Sequence, residues 1–200
     1  MTSSCIILAG GQSRRMGRDK RRLRLWGESG PRLLDHMITL AQSVCAEVVV
    51  VLNDVDAWPE LSVRCVPDAY PGTGPLGGFA SGFAAVTHDT ALLLACDMPL
   101  IPPALLHALL HTPLQHDIRC LCRPPHPPEP FAARYQRRCL QYAEQLLANG
   151  EHRMSALLST ATCDVRGPAW WHTYDPTGQS FINLNSTTDL HQLPSTSAEY

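Results

Sequence analysis

No apolar run in this 200-residue chain reaches membrane-spanning length, so neither a membrane-embedded protein nor a membrane partner is expected. Charge of either sign is scarce. Sixteen Lys and Arg stand against 18 Asp and Glu, leaving a formal net charge of −2, and charged residues make up only 17% of the chain. A near-neutral balance does not demand a nucleic-acid-binding surface, and no nucleic-acid partner is expected. No signal peptide precedes the eight cysteines, which are therefore read as reduced in a cytoplasmic protein. Cys120-x-Cys122 has the alternation of a strand rather than zinc spacing, and His107 and His111 lack an acid or third ligand nearby. Internal repeats and long linkers are also missing. One domain over residues 1–193 is expected, with a disordered polar tail over 194–200.

Two familiar nucleotide motifs are missing too. A P-loop needs lysine directly after its last glycine and then a hydroxyl, but Gly17 is followed by Arg18 and Lys20 by Arg21. The fingerprint Gly-x-Gly-x-x-Gly fails because Gly10 and Gly11 are adjacent. What stands in their place is the run Cys5-Ile6-Ile7-Leu8-Ala9-Gly10-Gly11-Gln12-Ser13-Arg14-Arg15-Met16-Gly17-Arg18-Asp19-Lys20. A buried strand ends in two glycines, which let the backbone turn sharply and bring bare N–H groups to a ligand. Seven cations fall between Arg14 and Arg24 against one acid, Asp19. Such a cluster is often only a solvated face. Directly after a glycine turn it favours a ligand with several negative charges, most simply a nucleoside triphosphate.

Short apolar runs alternate with helical patterns, which predicts an α/β layered domain. Strands are expected at 4–8, 47–52, 63–66, 91–95, 117–122 and 181–184, the second of them (Val48 to Val51) fully buried and parallel in type. Helices are expected from Gly30-Pro31 through Val44, at 79–86, from Pro102-Pro103 through His111, and at 136–149 and 152–158. Residues 67–78 read as a long glycine- and proline-rich loop. Pro124 to Pro130 is too proline-rich for a central strand and reads as a stiff loop before residues 131–135.

In open α/β sheets, ligands sit outside the carboxyl ends of the strands. The glycine turn after Leu8, Asn53, Asp68 and Asp97 all fall at such ends. Asn and Asp are also ordinary turn formers, so Asn53 and Asp68 alone decide little. Asp97, in Cys96-Asp97-Met98-Pro99, is the best metal candidate, because Mg²⁺ takes one or two carboxylates together with waters and substrate phosphates.

Leu8-Ala9-Gly10-Gly11-x-Ser13-x-Arg15-Met16-Gly17-x-Asp19-Lys20 resembles the signature of the molybdenum cofactor guanylyltransferases, the MobA family. The resemblance extends over roughly residues 5 to 190. It implies a single-domain Rossmann-like three-layer sandwich with a mostly parallel sheet, of the nucleotide-diphospho-sugar transferase kind. It also implies GTP and molybdopterin, or molybdenum-loaded molybdopterin, as substrates, and Mg²⁺ as cofactor with Mn²⁺ as an alternative. Transient contacts with cofactor-synthesis proteins and molybdoenzyme chaperones would follow. Nucleotide contacts would fall on Leu8, Ala9, Gly10, Gly11, Lys20, Asn53, Asp68, Asp97 and Gly77, the last within the Gly72-to-Gly78 stretch that is similar to a family loop. Arg15, Lys20 and Asp97 would carry the chemistry. Arg134, Arg153 and Asn183 lie in segments similar to those on the family's acceptor side, and Asn185 would join Asp97 at the metal. The chain departs from the family at Ser186-Thr187-Thr188-Asp189, where Thr-Pro-Glu-Asp is usual. A sister transferase using CTP and a non-catalytic carrier are the competing readings.

Overall fold

The computed structural model describes residues 3–10, 19–113, 115–185, 189–190 and 193. Gly11, Arg15, Ser186 to Thr188 and the tail from 194 lie outside the described residues. Among those described, seven strands form one sheet: β1 (Ser4–Leu8), β2 (Glu47–Val51), β3 (Arg64–Val66), β4 (Thr90–Ala95), β5 (Ile118–Leu121), β6 (Glu129–Gln136) and β7 (Cys163–Arg166). Their order is β3-β2-β1-β4-β6-β5-β7, all parallel except β6, which runs against both of its neighbours. Helices α1 (Leu33–Gln42), α2 (Gly74–Ala85), α3 (Pro103–His111), α4 (Cys139–Ala148), α5 (Met154–Thr160) and the short α6 (Pro168–Trp171) complete the fold.

The apolar strands are covered on both faces, as parallel sheets require. Alternation sends Cys5 and Ile7 into one core with Leu34, Met37 and Leu105, and Ile6 into the other with Phe79 and Phe83. Three layers result, as expected. No helix among the described residues is long and apolar enough to cross a membrane. Helix α2 packs unusually close to the sheet. A Cβ on Gly82 would lie 2.4 Å from Cγ2 of Ile6.

Register is what builds the site. Leu8 pairs with Val51 on one side and Ala95 on the other, and Val51 pairs with Val66. The ends of four parallel strands are therefore level. The chain leaves β1 toward β2 and β3, then returns through α2 to β4 on the far side of β1. Strand order thus reverses between β1 and β4, the crevice where such sheets bind ligands.

Four expectations change. Helix α2 begins at Gly74, so half of the anticipated glycine loop is its first turn, with Pro75 where a helix tolerates it. Strand β6 begins at Glu129 and lies between β4 and β5 despite Pro130. The proline is accommodated because pairing with β4 covers only Ala133 to Gln136, and the pairing with β5 is irregular near Leu121. Residues 181–184 are not a strand. Gln179–Phe181 is a 3₁₀ turn, and the segment after it docks through Leu184 N–H donating to Asp97 O at 2.8 Å. Strand β7 and helix α6 were not anticipated.

Candidate active site

The level strand ends open into a cavity of about 550 Å³. Leu8, Ala9, Gly10, Lys20, Asn53, Asp68, Asp97 and Asn183 all lie on its wall, together with Arg21, Met98 and Phe131. At its centre Lys20 Nζ donates to Asp97 Oδ2 at 2.6 Å, with both side chains about one-fifth exposed, at 20% and 19%. Lys20 opens a single 3₁₀ turn, Lys20–Arg22, whose start is fixed by Asp19 accepting from the backbone N–H of Arg21. Asn53 Nδ2 donates to Gly10 O at 2.8 Å, tying the end of β2 to the glycine turn. Asp68 is held by helix α2: its Oδ1 accepts from Ser81 Oγ and from Tyr70 N–H, and Oδ2 has no partner among the described residues.

The sequence did not single out Arg21, yet it organises the turn. Its buried guanidinium donates to Ala9 O, to both carboxylate oxygens of Asp54 and to both of Asp19. Ala9 and Asp19 are thereby tied to Asp54, the residue following Asn53. Burial opposes the charge, but the hydrogen bonds it donates to Asp54 and Asp19 hold Arg21 above its ordinary pKa. Arg21, Arg22 and Arg32 also stand over the ring of Trp58, Arg22 closest at 4.1 Å to the centroid, while Arg24 donates to Gly30 O. Among the described members of the cationic run, Arg21, Arg22 and Arg24 are therefore engaged structurally, and Lys20 lines the cavity beside Arg21. Nothing in the sequence pattern separates Arg21 from its neighbours; its partner Asp54 is 33 residues away.

Other expected residues fall elsewhere. Gly77 is off the cavity wall: a Cβ there would point at Thr73 Oγ1 and Tyr70, while Gly72, Gly74 and Gly78 line the opening. Arg153 starts α5, is 77% exposed and pairs with Glu151, also off the wall. Asn185 follows the segment docked on Asp97, and its backbone N–H donates to Asp189 Oδ2. Arg134 lies at the opposite edge of the sheet. Because β6 is antiparallel, only its beginning, near Phe131, reaches the cavity, and Arg134 pairs with Leu92 further down β4.

A divalent metal fits this geometry on one carboxylate. No cluster of three or more His, Cys, Asp or Glu ligands occurs among the described residues, which excludes a closed all-protein cage there and leaves Asp97 as the half-buried anion already holding a cation, the ammonium of Lys20. Glu129 is electrostatically near. Burial holds its carboxyl above the ordinary value, and the charge of Asp97 pushes the same way. Burial pushes the Cys96 thiol beside Asp97 up to about 12, which disfavours its thiolate form.

A sequence profile of the MobA-like NTP transferase domain matches residues 5–165. The chain belongs to this family. A probable molybdenum cofactor guanylyltransferase of Chloroflexus aggregans is 47% identical over 192 residues, covering 95% of this chain and 92% of that one. A molybdenum cofactor guanylyltransferase of Desulfosudis oleivorans is 27% identical, covering 94% and 92%. Among solved structures, the molybdopterin-guanine dinucleotide biosynthesis protein A of Archaeoglobus fulgidus superposes with a TM-score of 0.81 at 20% identity, covering 94% and 95%. At that identity the match establishes the fold.

Proposed function

We propose that this chain transfers GMP from GTP to the terminal phosphate of molybdopterin, bare or loaded with molybdenum, giving the guanine dinucleotide cofactor and pyrophosphate. The observation that carries the reading is the Lys20–Asp97 pair, 2.6 Å apart, which shares a cavity with Gly10 at the point where strand order reverses. The names of the curated relatives supply the substrates.

In this mechanism an acceptor phosphate oxygen attacks the α-phosphorus of GTP in line. The bond to the α–β bridging oxygen breaks, and pyrophosphate leaves with its electron pair. A phosphate monoester is already anionic near neutral pH, so no general base is needed. The protein's task is positioning and charge neutralisation. The N–H groups after Ala9, Arg15 and the Gly11 turn are assigned to the β- and γ-phosphates. Lys20 stabilises charge at the α-phosphate. Asn53 and Asp68, on the cavity wall just beyond the ends of β2 and β3, hold the guanosine. Asn183 faces the acceptor. Asp97, with Asn185 as a second donor, holds Mg²⁺ or Mn²⁺, which when bound supplies Lewis-acid neutralisation of phosphate oxygens. Arg153 is retained as an acceptor contact only through its position at the start of α5. Arg134 is not retained. The same reading makes the protein cytoplasmic, passing its product to molybdoenzyme chaperones.

A mass assay with molybdopterin as acceptor and each of the four NTPs in turn tests the reading. A guanylylated product and pyrophosphate are expected with GTP. A cytidylylated product instead, or no pyrophosphate release with any NTP, overturns it.

A further inference from the structure

A second cavity, of about 430 Å³, opens at the amino-terminal edge of the sheet, on the side away from the first. Its wall includes Ser3, His88, Thr90, His111 and Arg134. Arg134 is only 7% exposed. Its Nη1 donates to Leu110 O and Thr112 O at the end of α3, and its buried Nε has no partner among the described residues. Beside it in the β5–β6 register stands Arg119, 1% exposed, which donates to Thr112 O and Pro113 O and pairs with Asp164. Asp164 is shared with Arg166. Arg119 and Arg166 therefore share one carboxylate, and Arg134 beside them pairs with no carboxylate among the described residues.

Helix carbonyls offset about half a charge at most. A buried charge without a counter-charge is costly. Burial, and then the positive charge of Arg119, press against Arg134, and no carboxylate counters them. The wall's one carboxylate among the described residues, Asp89, is turned to solvent, 89% exposed, and paired with Arg137. His88 is engaged by Ser4 and Glu47. His111 lies on the same wall at the exposed end of α3.

We propose that this second cavity is a binding site for a phosphate-class oxyanion, seated on Arg134 with Ser3, Thr90 and His111 around it. The anion would supply the charge that the Arg119–Arg134–Asp164 cluster lacks. It is separated from the first cavity by the length of β4, so its occupancy is independent of nucleotide.

The test is a titration of the full chain, ¹⁵N-labelled, with inorganic phosphate at constant chloride, following the arginine Nε–H resonances. The Arg134 signal is assigned by its loss in Arg134→Lys. It is expected to shift and saturate, and in His111→Asp, a change at an exposed position, saturation should need at least about tenfold more phosphate, since like charge at the mouth repels the anion. Phosphate bound only in the first cavity would move Arg21 and leave Arg134 still. That outcome, or an Arg134 shift that saturates at the same concentration in His111→Asp, overturns the proposal.

Discussion

Lys20 and Asp97 are 77 residues apart in the chain and 2.6 Å apart in space. Each contributes one charge to a half-buried cavity, where preorganised donors act more strongly than in water. Lys20→Ala is expected to lower turnover ~100- to 1000-fold, the effect of deleting one such donor. Steady-state kinetics check this, and near-wild-type turnover would remove the assignment. Asp97→Ala should abolish Mg²⁺-dependent turnover with the circular dichroism spectrum unchanged; activity persisting at low Mg²⁺ would count against Asp97 as the ligand. Asp97 was legible in the sequence because it follows an apolar run that had to be a strand, and Lys20 because it closes the cationic run after the glycine turn. Arg21 was not, since a guanidinium folded back onto Ala9, Asp19 and Asp54 looks in sequence like any other member of a basic run.

Elements carried a different kind of information. Buried runs such as Val48 to Val51 and Leu92 to Leu94 left no choice but strand, and so β1, β2 and β4 were readable. Strand direction was not. Nothing in Glu129–Gln136 reveals that it is antiparallel, and that reversal carried Arg134 away from the site expected for it. Strand β7 was missed because its half-exposed sequence, Cys-Asp-Val-Arg, carries no apolar run. Helix α2 was read as small-residued and close to the sheet, and that closeness is measurable. Gly82→Ala gains about 1 kcal/mol of helix propensity. Its Cβ, however, would meet fully buried Ile6 at 2.4 Å, and overpacking typically costs about 1–3 kcal/mol. A net loss of up to about 2 kcal/mol is expected by urea denaturation. An unchanged or raised midpoint would show that β1 and α2 can separate freely.

Across the whole molecule the site depends on three strand ends being held together by charge as well as by register. Asp54 is kept below its ordinary pKa by Arg21; Asp19 is too, although burial works the other way there. A carboxyl depressed in the fold contributes stability above its unfolded pKa, about 3.9, and loses it as pH falls through the lower folded value. The wild type should therefore lose stability below about pH 4 more steeply than Arg21→Met, in which nothing holds the two carboxyls down. Equal slopes for the two proteins in denaturant titrations between neutral and acid pH would remove Arg21 as the clamp. The central claim is that the triphosphate is gripped at the carboxyl edge between the glycine turn and the Lys20–Asp97 pair. A crystal structure with a non-hydrolysable GTP analogue and Mg²⁺ tests it most directly. The account predicts phosphate oxygens on the amides after Ala9 and on Lys20, with the metal on Asp97. A nucleotide lodged elsewhere, with no phosphate on Lys20 and no metal on Asp97, would contradict it.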